Sequence, residues 1–154
     1  MKLKMFSALM LALSCSLPAI AQTRQQNIRV RSTHVMPFSM DSTMHKFEPT
    51  KAGGVMTVTV HDGDASQIAL VRAHLQKEAA SFARGNFADP AYIHGKSMPG
   101  LAALSAGATR ISVHYAKLPD GAAIAFRTSD PLLIAALHRW FAAQVSDHGH
   151  DAMM

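Results

Sequence analysis

A chain of 154 residues, 49% of them apolar, has room for one domain around a single core and not for two. The formal charge of +5 drops to +3 when Lys2 and Lys4 are set aside with the leader described next, too weak a positive balance to point to nucleic acid. Cysteine occurs once, at Cys15 inside that leader, so the remainder can form neither a disulfide nor a thiolate metal site.

Residues 1–21 have the pattern of a secretory signal peptide. Lys2 and Lys4 give a positive start and Met5 to Leu17 an apolar stretch. Ala19-Ile20-Ala21 then supplies the small-x-small cleavage pattern ahead of Gln22. The apolar stretch is too short to span a bilayer. Ala12-Leu13-Ser14 makes a poor lipoprotein box before Cys15, so a soluble periplasmic protein is preferred to a lipid-anchored one. Export also argues against a nucleic-acid partner.

What remains is rich in two kinds of donor. All nine histidines and seven of the ten methionines follow Ala21. Imidazole is a common metal ligand, and thioether is a soft donor that selects Cu(I). Thiols are consumed in disulfides outside the cytoplasm, whereas thioethers are not. A cysteine-free His/Met set therefore suits copper in that compartment. For any one residue, the ordinary roles of Met as core filler and His as surface decoration remain the default.

Residues 22–44 are polar, without a sustained apolar period, and are expected to form a flexible arm holding His34, Met36, Met40 and Met44. A single domain then runs over 45–149, with a His/Met tail at 150–154. His45 to Glu48 and Val55 to His61 read as an irregular hairpin or extended lead-in, with Met56, Val58 and Val60 on one face. Asp64 caps a helix whose stripe is Ile68, Val71, Leu75, Ala79 and Phe82. Gln67 completes a capping-box-like pair, Gly85 stops the helix, and His74 flanks the stripe. Residues 85–100 are expected to be an irregular loop, broken at Asp89-Pro90, His94-Gly95 and Met98-Pro99-Gly100 and anchored by Phe87, Tyr92, Ile93 and Met98. A short helix over Leu101 to Ala106 follows. A hairpin comes next, Arg110 to Ala116 and Ala122 to Arg127 about the turn Leu118-Pro119-Asp120-Gly121, with His114 on its outer face. Asp130-Pro131 opens the last helix, whose stripe is Ile134, Leu137, Phe141 and Val145 with His138 inside it and Leu133 and Trp140 at one edge.

The order strand, helix, loop, strand, strand, helix implies an α+β fold. Its expected form is a small antiparallel sheet with two helices on one face, a ferredoxin-like variant (βαββα). The uncovered sheet suggests a homodimer. No nucleophile motif, carboxylate pair, phosphate loop or zinc-hydrolase His spacing is present, so an enzyme is the weaker class. The preferred reading is an exported protein that sequesters or delivers copper. Its structured ligand candidates are His94, Met98, His74, His138 and His148, and its mobile ones Met36, Met40, Met44, His45, His150, Met153 and Met154. The first alternative is non-covalent haem on His138 or on the His94/Met98 pair. The second is a structural or interaction module with no ligand.

Phe87-Ala88-Asp89-Pro90, Ile93-His94-Gly95, Met98-Pro99-Gly100-Leu101, Leu118-Pro119-Asp120-Gly121, Asp130-Pro131, His138-Arg139-Trp140-Phe141 and Asp147-His148-Gly149 carry a resemblance to a family of small exported bacterial proteins of unassigned role. It covers about two-thirds of the chain, from His45 to Gly149. Members of that family sometimes bear an aspartate carbamoyltransferase label. This chain has no carbamoyl-phosphate motif and is short for that enzyme, so the resemblance implies no activity.

Overall fold

The computed structural model describes residues 17–154, with side chains from Thr23 onward. The expected leader lies outside these residues except for 17–21, which open the first helix, α1 (Leu17–Ser32). Two hairpins make most of the sheet: β1 (Thr43–Thr50) with β2 (Gly53–Val60), and β3 (Ser112–Leu118) with β4 (Gly121–Arg127). Alternate side chains are buried, as a period of two requires when one face is covered. They are Thr43, His45 and Phe47 in β1, Met56, Val58 and Val60 in β2, and Ala122, Ile124 and Phe126 in β4. The hairpins join through β2 and β4, antiparallel, with Met56 opposite Ile124. A two-residue strand, β5 (Ala152–Met153), runs parallel to β1, giving the order β3-β4-β2-β1-β5.

Two long helices cover the buried face, α2 (Ala65–Ala83) against β3 and β4, and α5 (Pro131–His148) against β1 and β2. Both start where their cap residues predict. The Asp64 carboxylate accepts from the N–H groups of Ser66 and Gln67, and the Asp130 carboxylate accepts from that of Leu132, with Pro131 in the first turn. Gln67 does not close a capping box. Its Oε1 accepts instead from the Ser39 N–H at 2.8 Å, tying the α1–β1 connector to α2. The buried arc of α5 is wider than the predicted stripe and rotated from it. Leu133, Ala136, Leu137, Trp140, Phe141 and Gln144 are buried, while Ile134 and Val145 are only half-buried. The cause is a second neighbour, because a short helix, α4 (Leu101–Ala106), packs on the flank of α5 away from the sheet. Trp140 is wholly buried and meets Phe82, Phe87, Phe126 and Phe141 at centroid distances of 5.6 to 5.8 Å. Trp140→Ala is expected to cost about 3–5 kcal/mol in urea unfolding.

The class is α+β, but the strand order departs from the ferredoxin-like arrangement. Of the two readings of 45–61, the hairpin is the one observed, and it is regular, with residues 43–50 a full strand. The elements therefore run ββα and again ββα, and the central pair, β2 with β4, is antiparallel. The stretch 85–100 also differs, since it contains a helix, α3 (Ala88–His94). Pro90 does not break it, because it sits in the first turn, where the missing N–H would have had no partner. Gly100 is required where it stands. Its φ is +82°, and a Cβ there would come within 2.2 Å of the Ala136 carbonyl oxygen on α5. Gly100→Ala should therefore lower stability by about 2 kcal/mol or more in the same assay, from left-handed strain and overpacking together.

The segment expected as a flexible arm is instead helix and docked connector. Ile28 and Ser32 are fully buried, and Phe38 and Met40 nearly so. No apolar stripe announces α1; single anchors and ion pairs hold it, which a periodicity reading does not detect. The outer sheet face, carrying Met44, Val55, Thr57, Thr59, Ala123 and Ala125, is half-exposed. Among the described residues no helix is long and apolar enough to cross a membrane.

Candidate functional site

Three elements each deliver one histidine to the same place. His45 points inward because it alternates with Thr43 and Phe47 on β1. His94 ends α3, and His148 ends α5. The rings of His45 and His148 stack, with centroids 5.5 Å and planes 4° apart, and His94 meets His148 edge-on at 5.0 Å. All three residues are buried. His74, from α2, stands half-buried beside them with its ring edge-to-face on Phe38 at 5.6 Å, and Phe38 lies 6.0 Å from His45.

These side chains line a cavity of about 50 Å³. Two thioethers, Met36 and Met56, share its wall, and most of the remainder is apolar, including Phe47, Val58, Leu75 and Ile93. Three buried polar atoms on the lining residues have no hydrogen-bond partner among the described residues: His45 Nδ1, Trp140 Nε1 and Gln144 Oε1. Left unpaired, each such atom costs about 1–3 kcal/mol, so the lining is not uniformly apolar.

Burial drives the His45 imidazole down to about 4, helped by His74 and His94 and opposed by the backbone of Asp151. Burial likewise holds His148 at about 2, with His45 and His94 adding to it, and His74 at about 4, with Lys77 adding. At neutral pH these three rings are uncharged and keep a lone pair on one nitrogen. His94 is oriented differently. Its Nδ1–H donates to Asp147 at 2.9 Å, which leaves Nε2 for the cavity. Asp147 in turn accepts from Arg24 on α1, Nε at 2.6 Å and Nη2 at 2.9 Å. Burial alone would raise the Asp147 carboxyl, but the hydrogen bonds from His94 and Arg24 and the charges near it hold it down at about 2. Across the cavity, burial and then the neighbouring Asp89 lift the Glu78 carboxyl to about 7.

Of the residues singled out from the sequence, His45, His74, His94 and His148 line this cavity, as does Met36 from the connector. The others go elsewhere. His138 donates from Nε2 to the carbonyls of Thr50 and Gly53 at 3.1 and 2.9 Å, fastening the β1–β2 turn to α5. Met98 and Met40 are packed in the hydrophobic core, and Met44 points to the outer face of β1. His150 and the last two methionines are exposed on the turn and strand after α5. Asp147, Arg24 and Gln144 were not singled out. Gln144 and His148 continue the three- and four-residue steps from Leu133, Leu137 and Trp140, so polar residues at stripe positions were the available signal for that end of α5. Nothing local marks Arg24.

The rings do not yet converge as ligands. Among the described residues no group of three His, Cys, Asp or Glu side chains is placed to hold a metal ion. The stacked pair explains this, because parallel rings direct their in-plane lone pairs along parallel planes and not to one point. Of the expected haem ligands, His138 is engaged by the carbonyls of Thr50 and Gly53 and Met98 is packed in the core. Fold and cavity thus define an α+β protein whose sheet and helices enclose a pocket lined by four histidines and two methionines. Comparison with known proteins finds no family model, no curated protein and no solved structure that matches the chain.

Proposed function

We propose that the protein binds a soft transition-metal ion, Cu(I) foremost, in the cavity between His45, His94 and His148, with Met36, Met56 and His74 completing the donor set. The observation that carries this is that the neutral imidazoles of His45 and His148 and two thioethers share one nearly apolar wall with His94. Imidazole with thioether is the set that prefers Cu(I) over harder ions, and an apolar surround disfavours the more highly charged state. Asp147 contributes by fixing which nitrogen of His94 faces inward. Export through the expected leader would place this binding in the periplasm, where holding or handing on copper is the role such a site serves.

Anaerobic titration of the metal-free protein against a Cu(I) chelator tests the reading. The wild type is expected to take up one ion per chain. A His45→Gln/His148→Gln double variant that keeps its near-UV circular dichroism should bind at least about tenfold more weakly, a loss of about 1.4 kcal/mol. Equal competition by the folded double variant and the wild type would falsify the assignment.

A further inference from the structure

A second recess lies on the outer side of His148. It has a volume of about 270 Å³ and is lined by Gln25, Ile28 and Arg29 of α1 together with His148, His150 and Asp151. His148 is the one residue on both linings, so its ring is the partition between an outer polar cleft and the inner cavity. The chain geometry produces this arrangement. α5 ends at His148 and turns at Gly149, whose φ is +59°, so His148 stays under α1 while His150 two residues on faces out. The His150 side chain is 86% exposed, and its Nε2 lies 3.2 Å from Asp151 Oδ1. Arg29 is the only cationic side chain on the cleft wall among the described residues, and its guanidinium pairs with both Asp41 and Asp151, which screens it from an incoming cation.

We infer that this cleft is the loading port of the cavity, with His150 as the capture residue and His148 as the gate. The inference rests on the metal-binding reading and deepens it by assigning the route of the ion. A Cu(I) ion held by His150 passes to His148 by exchange of one metal–nitrogen bond for another, with no change in oxidation state. Rotation of the His148 ring out of its stack on His45 then carries the ion inward. The alternative is entry on the side of the inner cavity lined by Val35, Met36 and Asp89. The cleft is favoured because it is wider and because its exposed imidazole, backed by the Asp151 carboxylate, shares the wall with a second imidazole, His148.

Stopped-flow transfer of Ag(I), a redox-inert stand-in for Cu(I), from a weak chelator to the full chain distinguishes the two routes. His150→Ala is expected to slow loading by about tenfold while leaving equilibrium affinity within about twofold, because an exposed residue outside the cavity sets the rate and not the endpoint. Val35→Ala, on the other side of the cavity and outside the donor set, is expected to load at the wild-type rate. Unchanged loading by His150→Ala, or a rate change confined to Val35→Ala, overturns the assigned port and leaves the cavity reading intact. A wild type that takes up no Ag(I) or Cu(I) overturns both.

Discussion

Taking the metal-free protein from pH 7 to pH 5 is expected to cost it several kcal/mol of stability. The free imidazole titrates at about 6.5, whereas burial holds His45 and His74 at about 4 and His148 at about 2 in the folded chain. Below 6.5 the unfolded chain takes up protons that the folded one refuses. The stability these rings confer is therefore complete above that pH and is lost as pH falls, until the folded values are reached. Each lagging proton is worth about 1.4 kcal/mol per pH unit, so three together give an upper bound of about 4 kcal/mol per unit between 6.5 and 4. The Glu78 carboxyl, raised to about 7, gains stability as pH falls and offsets about one of the three. A domain of ordinary stability, about 5–15 kcal/mol, does not survive much of that. Urea midpoints measured at pH 7, 6 and 5 check the expectation. The slope should become shallower by about half in His148→Gln, whose side chain does not titrate. A midpoint that stays constant from pH 7 to 5 would show that the rings are not buried together.

Asp147→Ala carries the next largest effect expected at the site. Its carboxylate is the shared partner of Arg24 on α1 and His94 on α3, and its side chain is only 7% exposed. Removing it leaves the Nδ1–H of a buried imidazole without an acceptor and takes away the Arg24 tie between α1 and α5, leaving the Gln25–Ser146 hydrogen bond. The cost should be about 2–4 kcal/mol. Arg24→Ala should cost much less, because that guanidinium is 53% exposed and water replaces much of the pair. The two variants also differ in acid. Asp147 titrates at about 2 when folded and 3.8 when free, so its stabilisation is present above 3.8 and lost as pH falls toward 2. The Ala variant should lose only this lowest part of the acid profile and keep the part due to the imidazoles. Equal urea midpoints for Asp147→Ala and the wild type at pH 7 would mean that the carboxylate holds neither partner.

What local pattern could reveal, it revealed. Asp64 and Asp130 cap the helices they announce, the turn at residues 118–121 joins two strands, and the alternation of β2 buries the side it predicts. Features that need no period stayed hidden. Helix α1 is polar on nearly every side and stands because Ile28 is buried and Arg24 and Arg29 reach across to residues beyond position 146. His138 shows the opposite failure, since it falls in an apolar stripe yet serves a hairpin turn 85 residues away. Residues 85–100 misled for a third reason, because a proline that breaks a helix interior is tolerated in its first turn.

By itself the sequence determined the α+β class, the helix caps, the inward faces of the strands and an unusual store of imidazole and thioether, because each is written within a few neighbouring residues. Only the tertiary structure decided which of those donors meet. His45, His94 and His148 share no local pattern, and they come within ring contact because a strand, a short helix and a long helix end at one point under α1. Distance along the chain carries no record of that closure; packing against the sheet does.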